Sequence, residues 1–262
     1  MMSLDHLLEE SKDLGLPLNK KRAIVREYVQ NILLSSVYRN RIGRKMYFMG
    51  GTALRFCYRL PRFSEDLDYN AKDLSYESFK KVASIALEGA RLEGFTLQDT
   101  YERRGSLYAA RLEFPEIMQQ YGIIDQRGVG LAVKLEVNSP GWPLKTRPMV
   151  LSYYGMNYTA IVMEPSSLIT EKLLALLSRS RGRDVYDLLF MLKKQFPFDP
   201  EILRKNGYSE QPKDLIMRHL DSLGSAELRR LGKQVQPFLF KEEEAEMIEK
   251  APEYAEKFLE SY

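Results

Sequence analysis

Apolar residues recur every three or four positions from Ile24 to Val37, with Ile24, Val25, Tyr28, Val29, Ile32, Leu33 and Val37 forming one stripe. That period predicts an amphipathic helix facing a core, with Asn19 as its N-cap. The pattern then shortens. Met46-Tyr47-Phe48-Met49 is an apolar run closed by Gly50-Gly51, and Thr52-Ala53-Leu54-Arg55-Phe56-Cys57 opens a helical stretch that Pro61 stops. Strand, tight turn and helix are expected in that order. From Asp66 to Tyr69 strict alternation predicts a second strand, with Leu67 and Tyr69 pointing one way and both aspartates the other.

Ser75 is positioned to cap a helix running through Phe79, Val82, Ala83, Ala86 and Ala90, which Gly94 ends. Residues 95–114 read as a hairpin turning at Gly105-Ser106, residues 131–137 as another strand, and 149–154 and 158–163 as two more. The sheet is therefore expected to be mixed. Pro165 and Ser166 then open a region of helical period, with Leu168, Leu173, Leu174 and Leu177 in one segment and Val185, Leu188, Leu189 and Leu192 in the next. The predicted class is α/β (α+β): a mixed-sheet domain over residues 1–163, including the amino-terminal helices, and an all-helical domain over 164–262. Glu242-Glu243-Glu244 reads as the solvated first turn of a helix.

Composition narrows the class without changing it. A length of 262 residues suits two domains, and 44 % apolar against 29 % charged residues is the balance of a globular protein. The net charge of +3 comes from 39 basic and 36 acidic side chains, so it permits a nucleic-acid partner without demanding one. Cys57 is the single cysteine, which excludes an internal disulfide and a cysteine-built zinc site. Met1-Met2-Ser3-Leu4-Asp5-His6 does not open a signal peptide, and no apolar run approaches the roughly 18 residues of a membrane span. A cytoplasmic protein that does not engage a membrane is expected.

The chemistry is carried by an order of features. An apolar strand leads into Gly50-Gly51-Thr52 at a helix start, and Asp66-Leu67-Asp68 follows on the next strand. Glycines let the main chain approach a polyphosphate, and N–H groups at a helix start point at it. Aspartates one residue apart on a strand share a face, as hard, oxygen-liking cations require for in-line phosphoryl transfer. Glu136, between Leu135 and Val137, has the facing to add a third carboxylate. Each motif alone is common as plain structure: most Gly-Gly turns only reverse the chain, and alternating acids often decorate a half-buried strand. Lys172 alone reads as a snorkelling helix lysine, and Asp184 and Asp187 as acids suited to a helix's early turns. Arg179, Arg181 and Arg183, with Lys172 earlier in the chain, form the densest basic cluster, either a solvated face or an RNA-backbone contact. Trp142 reads most simply as a packing anchor, with base stacking as the alternative, and His6 and His219 lack metal-ligand spacing.

Taken together, Gly50-Gly51-Thr52-Ala53-Leu54-Arg55 and Arg62-Phe63-Ser64-Glu65-Asp66-Leu67-Asp68 resemble the AbiEii/AbiGii branch of the DNA polymerase beta-like nucleotidyltransferase superfamily. Lys134-Leu135-Glu136-Val137 resembles its third motif strand. Glu171-Lys172-Leu173-Leu174-Ala175 and Arg183-Asp184-Val185-Tyr186-Asp187-Leu188 resemble its helical motif. The resemblance implies a nucleotidyltransferase core with a carboxyl-terminal helical domain and an active cleft between the two. It implies nucleotide binding by Gly50, Gly51, Thr52, Arg55, Ser64 and Lys172, and two Mg²⁺ ions on Asp66 and Asp68 with Glu136 as a further ligand. Asp66, Asp68, Lys172 and Asp187 become the expected catalytic set. An NTP would be the substrate, a tRNA 3′ end or other RNA the acceptor, and a cognate antitoxin the partner of a type IV toxin. Three alternatives remain: a transferase acting on a small molecule, a silent RNA- or protein-binding member of the fold, and a metal-dependent hydrolase.

Overall fold

A computed structural model describes residues 1–124 and 130–262. The chain divides into two compact units. The first comprises Met1–Tyr58, Phe63–Pro140 and Thr146–Val162; the second comprises Arg59–Arg62, Gly141–Lys145 and Met163–Tyr262.

The first unit is built on a seven-stranded mixed sheet of order β3-β4-β5-β2-β1-β7-β6. Its strands are β1 (Met46–Met49), β2 (Leu67–Ala71), β3 (Gln98–Arg104), β4 (Leu107–Phe114), β5 (Leu131–Asn138), β6 (Thr146–Tyr153) and β7 (Met156–Met163). β1 runs antiparallel to β2 with Met49 opposite Asp68, and β2 runs parallel to β5 with Asp68 opposite Glu136. The β3–β4 hairpin turns at Gly105, whose φ of 59° lies in the left-handed region a glycine enters without strain. The alternation expected of β5 is present: Leu131, Val133, Leu135 and Val137 are buried, whereas Ala132, Lys134 and Glu136 are half-buried.

The unit's helices are α1 (Leu4–Asp13), α2 (Lys21–Arg39), α3 (Gly50–Tyr58), α4 (Tyr76–Leu92) and the single turn α5 (Ile117–Gln120). α2 and α4 pack on each other, α4 on β4 and α2 on β5. Ser75 caps α4 by accepting from the Ser78 N–H at 3.2 Å, as expected. Asn19 does not cap α2: the cap residue is Lys20, and among the described residues no side-chain cap bonds the first turn. The stripe read along α2 is also too narrow, because Glu27, Gln30 and Asn31 are buried with it. Their polar groups are spent inside. Asn31 donates to the Tyr153 carbonyl at 2.8 Å and accepts from the Tyr158 hydroxyl at 2.7 Å, and Gln30 donates to the Ser64 carbonyl at 3.1 Å. A buried polar group costs little once it is bonded, so α2 tolerates polar residues on several sides.

The second unit is helical: α6 (Pro165–Ser178), α7 (Gly182–Lys193), α8 (Pro200–Lys205), α9 (Pro212–Ser222), α10 (Ser225–Val235), α11 (Glu246–Glu249) and α12 (Ala251–Leu259). α7 is central, packing against α6, α10 and α12. Gly182 makes its first turn possible, since a Cβ there would lie 1.9 Å from the Leu231 carbonyl oxygen. Pro165 begins α6, where its missing N–H costs nothing. Asp199 caps α8, accepting from the Glu201 and Ile202 N–H groups. Glu242–Ala245 is an exposed or half-buried 3-10 turn leading into α11. Among the described residues no helix is long and apolar enough to cross a membrane.

Candidate active site

In the first unit, β1 delivers the chain to Gly50 with φ of 75°, and α3 starts at that residue. A Cβ built there would meet Asp68 Oδ2 at 2.3 Å, so the carboxylate lies directly against the turn. Only a residue without a side chain accepts both the left-handed backbone and that approach. Leu67 and Tyr69 are buried, whereas Asp66 and Asp68 are half-buried. The period of two thus sets both acids on the side away from the core. Because partners in register share a face, Glu136 stands beside Asp68 on β5.

The three carboxylates suit a hard cation by chemistry and facing. They are not drawn to one point: among the described residues no three acids, histidines or cysteines converge at metal-ligand distances. Glu136 is held by Lys134, two residues earlier on the same strand, at 2.8 Å.

Three residues of the expected nucleotide set are placed around this turn in different ways. Thr52 is fully buried, and its hydroxyl donates to the main-chain carbonyl of Asp66. Its side chain is therefore turned to the backbone that carries the acid. Arg55 is also buried, forming a two-pronged ion pair with Glu27 of α2 at 3.0 Å on each prong. That guanidinium is buried, and its charge is matched inside the unit. Ser64 is half-buried, and its carbonyl accepts from Gln30.

The second unit holds Lys172 and Asp187 together. Lys172 on α6 is bonded to Asp187 at 3.0 Å and Asp184 at 3.1 Å, both on α7. Arg62 clasps the other side of Asp187 with two bonds of 2.6 and 2.7 Å. Arg62 is 1 % exposed and Asp187 0 %. Burial pushes the Asp187 carboxyl upward, but Arg62 and Lys172 outweigh it and hold the group below the usual carboxylate range. Burial likewise pulls the Lys172 ammonium down, and Asp187 and Asp184 more than reverse the effect. Buried Arg62 and half-buried Lys172 thus balance two buried anions. Such a set resists loss of a member, because the remaining charge would be stranded in a poor dielectric.

The basic cluster read from the sequence is divided. Lys172 faces inward, Arg179 sits at 3.5 Å from Asp184 Oδ2, and the Arg183 guanidinium lies 5.9 Å from the Phe238 ring centre. Arg181, Gly182, Arg183, Gln234 and Phe238 line a small cavity of about 260 Å³. Sequence reasoning assigned no role to Arg62, although it stands inside the quoted motif. It also missed Arg22 and Arg26 of α2, which line an open pocket beside Asp66. No local signal marks them, because their partners lie far along the chain.

Comparison with known proteins adds the following. The family model described as "Nucleotidyl transferase AbiEii toxin, Type IV TA system" matches residues 32–258. The structure of the nucleotidyltransferase toxin MenT4 from Mycobacterium tuberculosis is similar with a TM-score of 0.64 at 18 % identity, covering 100 % of this chain and 91 % of that one. An H. pylori protein described as a nucleotidyltransferase is similar with a TM-score of 0.58 at 20 % identity, over 92 % of this chain and 97 % of that one. JHP933 from Helicobacter pylori gives 0.53 at 19 % identity, over 92 % and 94 %. At such identities the likeness is one of fold. A comparison with curated proteins finds no match.

Proposed function

This chain belongs to the AbiEii nucleotidyl transferase toxin family, and on that premise we propose that it moves a nucleotide from an NTP to an acceptor hydroxyl using Mg²⁺ held by Asp66, Asp68 and Glu136. The observation that carries the reading is the Asp68 carboxylate lying against the Gly50 turn, where any Cβ would collide with it. The turn brings main-chain N–H groups at the α3 start to the polyphosphate, next to the acids. The acceptor oxygen attacks the α-phosphorus, a new P–O bond forms, and the bond to pyrophosphate breaks. Magnesium bound at the acids would lower the hydroxyl's pKa and neutralise the departing charge.

The residues have separate parts in this proposal. Asp66 and Asp68 orient the reacting groups. Thr52 is a positioning residue that fixes the Asp66 main chain through its hydroxyl, while its N–H belongs to the phosphate-facing turn with Gly50 and Gly51. Lys172, half-buried and paired with Asp187, serves phosphate or base contact, with Asp187 holding it charged. A tRNA 3′ end or another RNA is the proposed acceptor. The family's place in type IV toxin–antitoxin systems implies a cognate antitoxin as partner.

Incubation with labelled NTPs, Mg²⁺ and total RNA tests the reading. Label is expected in tRNA, and Asp66→Ala with Asp68→Ala should abolish it, a loss of about a thousandfold or more. Label in small molecules, or hydrolysed nucleotide without transfer, would instead identify a small-molecule transferase or a hydrolase. Identical behaviour of wild type and double variant, with RNA still bound, would leave a silent binding module.

A further inference from the structure

At one end of the sheet the first unit opens into a pocket of about 510 Å³ that none of the roles above uses. Its walls are Arg22 and Arg26 from the first turns of α2, Arg111 and Glu113 from β4, residues 130–132 at the start of β5, and Glu65 and Asp66. The volume suits a small ligand or one group of a larger one.

Its charges are arranged unequally. Arg26 is paired with Glu65 at 2.9 Å and Arg111 with Glu113 at 2.6 Å. Arg22 donates to the main-chain carbonyl of Gly130 at 2.6 Å, so its hydrogen bond there is to a neutral acceptor. Arg26 Nε is buried with no hydrogen-bond partner among the described residues. Two guanidiniums one helical turn apart also oppose each other: burial is the first cause of the lowered Arg26 pKa, and Arg22 adds to it, against the pull of Glu65 and Asp66. A bound anion would relieve the opposition between the two cations. The lining sets three guanidiniums against the carboxylates of Glu65, Asp66 and Glu113, and two of those arginines come from neighbouring turns of α2.

We propose that this pocket is a phosphate subsite in which Arg22 and Arg26 grip a phosphate group next to Asp66. For the ligand's identity the assignment rests on the nucleotidyl-transfer reading. Topology favours the acceptor's phosphodiester over the NTP. The Gly50 turn reaches the acids from β1, on one side of β2, whereas the pocket is walled by β4 and β5 on the other side. Donor and acceptor must approach the reacting phosphorus from opposite sides for an in-line displacement.

The test measures binding, apart from turnover. A fluorescein-labelled single-stranded RNA with a free 3′ hydroxyl and a non-hydrolysable NTP analogue are titrated separately into wild type, Arg22→Gln, and the Arg22→Gln plus Arg26→Gln protein, with Mg²⁺ present. Arg22 is exposed, so its substitution leaves the fold intact, and a melting curve checks the double variant. RNA affinity is expected to fall about tenfold per arginine, and the slope of log affinity against log salt to flatten by about 0.7 per arginine. Analogue affinity should stay unchanged, and Arg22→Lys should recover part of the loss. If analogue binding falls and RNA binding does not, the pocket serves the NTP and the acceptor assignment is overturned. If neither changes, or wild type binds no RNA and the analogue is unaffected, the subsite itself is overturned. Arginine-dependent RNA binding by a protein that transfers no label sinks the catalytic reading and leaves the subsite standing.

Discussion

Asp68 and Asp187 are the same residue type in the same chain, and the structure treats them oppositely. Asp187 is fully buried between Arg62 and Lys172, its charge matched on both sides. Asp68 is half-buried at a glycine turn, on the side of its strand away from the core. A carboxylate enclosed by cations holds a structure together, whereas a half-buried one beside a turn keeps access to solvent. The difference is made by neighbours, since an acid has no intrinsic preference between these roles.

The strongest way to break the comparison is to remove each acid in turn. Asp187→Ala strands Arg62 and Lys172 and should destabilise the helical unit by about 3–5 kcal/mol, measured by denaturant unfolding. Asp68→Ala should alter unfolding little and abolish transfer. The pH dependence sharpens the contrast. The folded-state pKa of Asp187 is depressed, so its stabilisation is present above the unfolded-state value and lost as pH falls through the folded one. Acid unfolding of wild type should show this loss below about pH 4, and Asp187→Asn should lack it. Equal unfolding of both alanine variants would erase the distinction.

A smaller effect is expected at Gly50. Gly50→Ala would have to hold a left-handed φ of 75° and displace the Asp68 carboxylate from a 2.3 Å overlap. A stability loss of about 1–3 kcal/mol should accompany a larger loss of turnover, visible by melting and initial rates; unchanged turnover would detach the turn from the acids. The smallest is Thr52→Val, which deletes the bond to the Asp66 carbonyl at a cost of about 1 kcal/mol. Thr52→Ser should restore both stability and rate.

How much of this could be read from residues alone differs between the two regions for a physical reason. Alternation around Leu67 and Tyr69, the double glycine and the hairpin at Gly105 are local signals, and the strands lie where they pointed. The facing of Glu136 was legible too, because a strand's period fixes it. Arg62 and Asp187 are 125 positions apart, and Arg22 and Gly130 are 108 apart. Nothing near either residue announces such a partner. Arg55, beside the turn in sequence, is likewise paired at a distance, with Glu27 on another helix. Asn19 failed as a cap because α2 begins without any side-chain cap.

Lys134 gives the sheet face a resident counter-ion. With its ammonium 2.8 Å from Glu136, the negative charge that stands beside Asp68 in register is already answered from within β5, so neighbouring strands pair without unrelieved repulsion between those two acids. A lysine holds this place by a flexible stem and a single-point charge, so on the proposed metal-dependent reading it would be able to swing aside from the Glu136 oxygen.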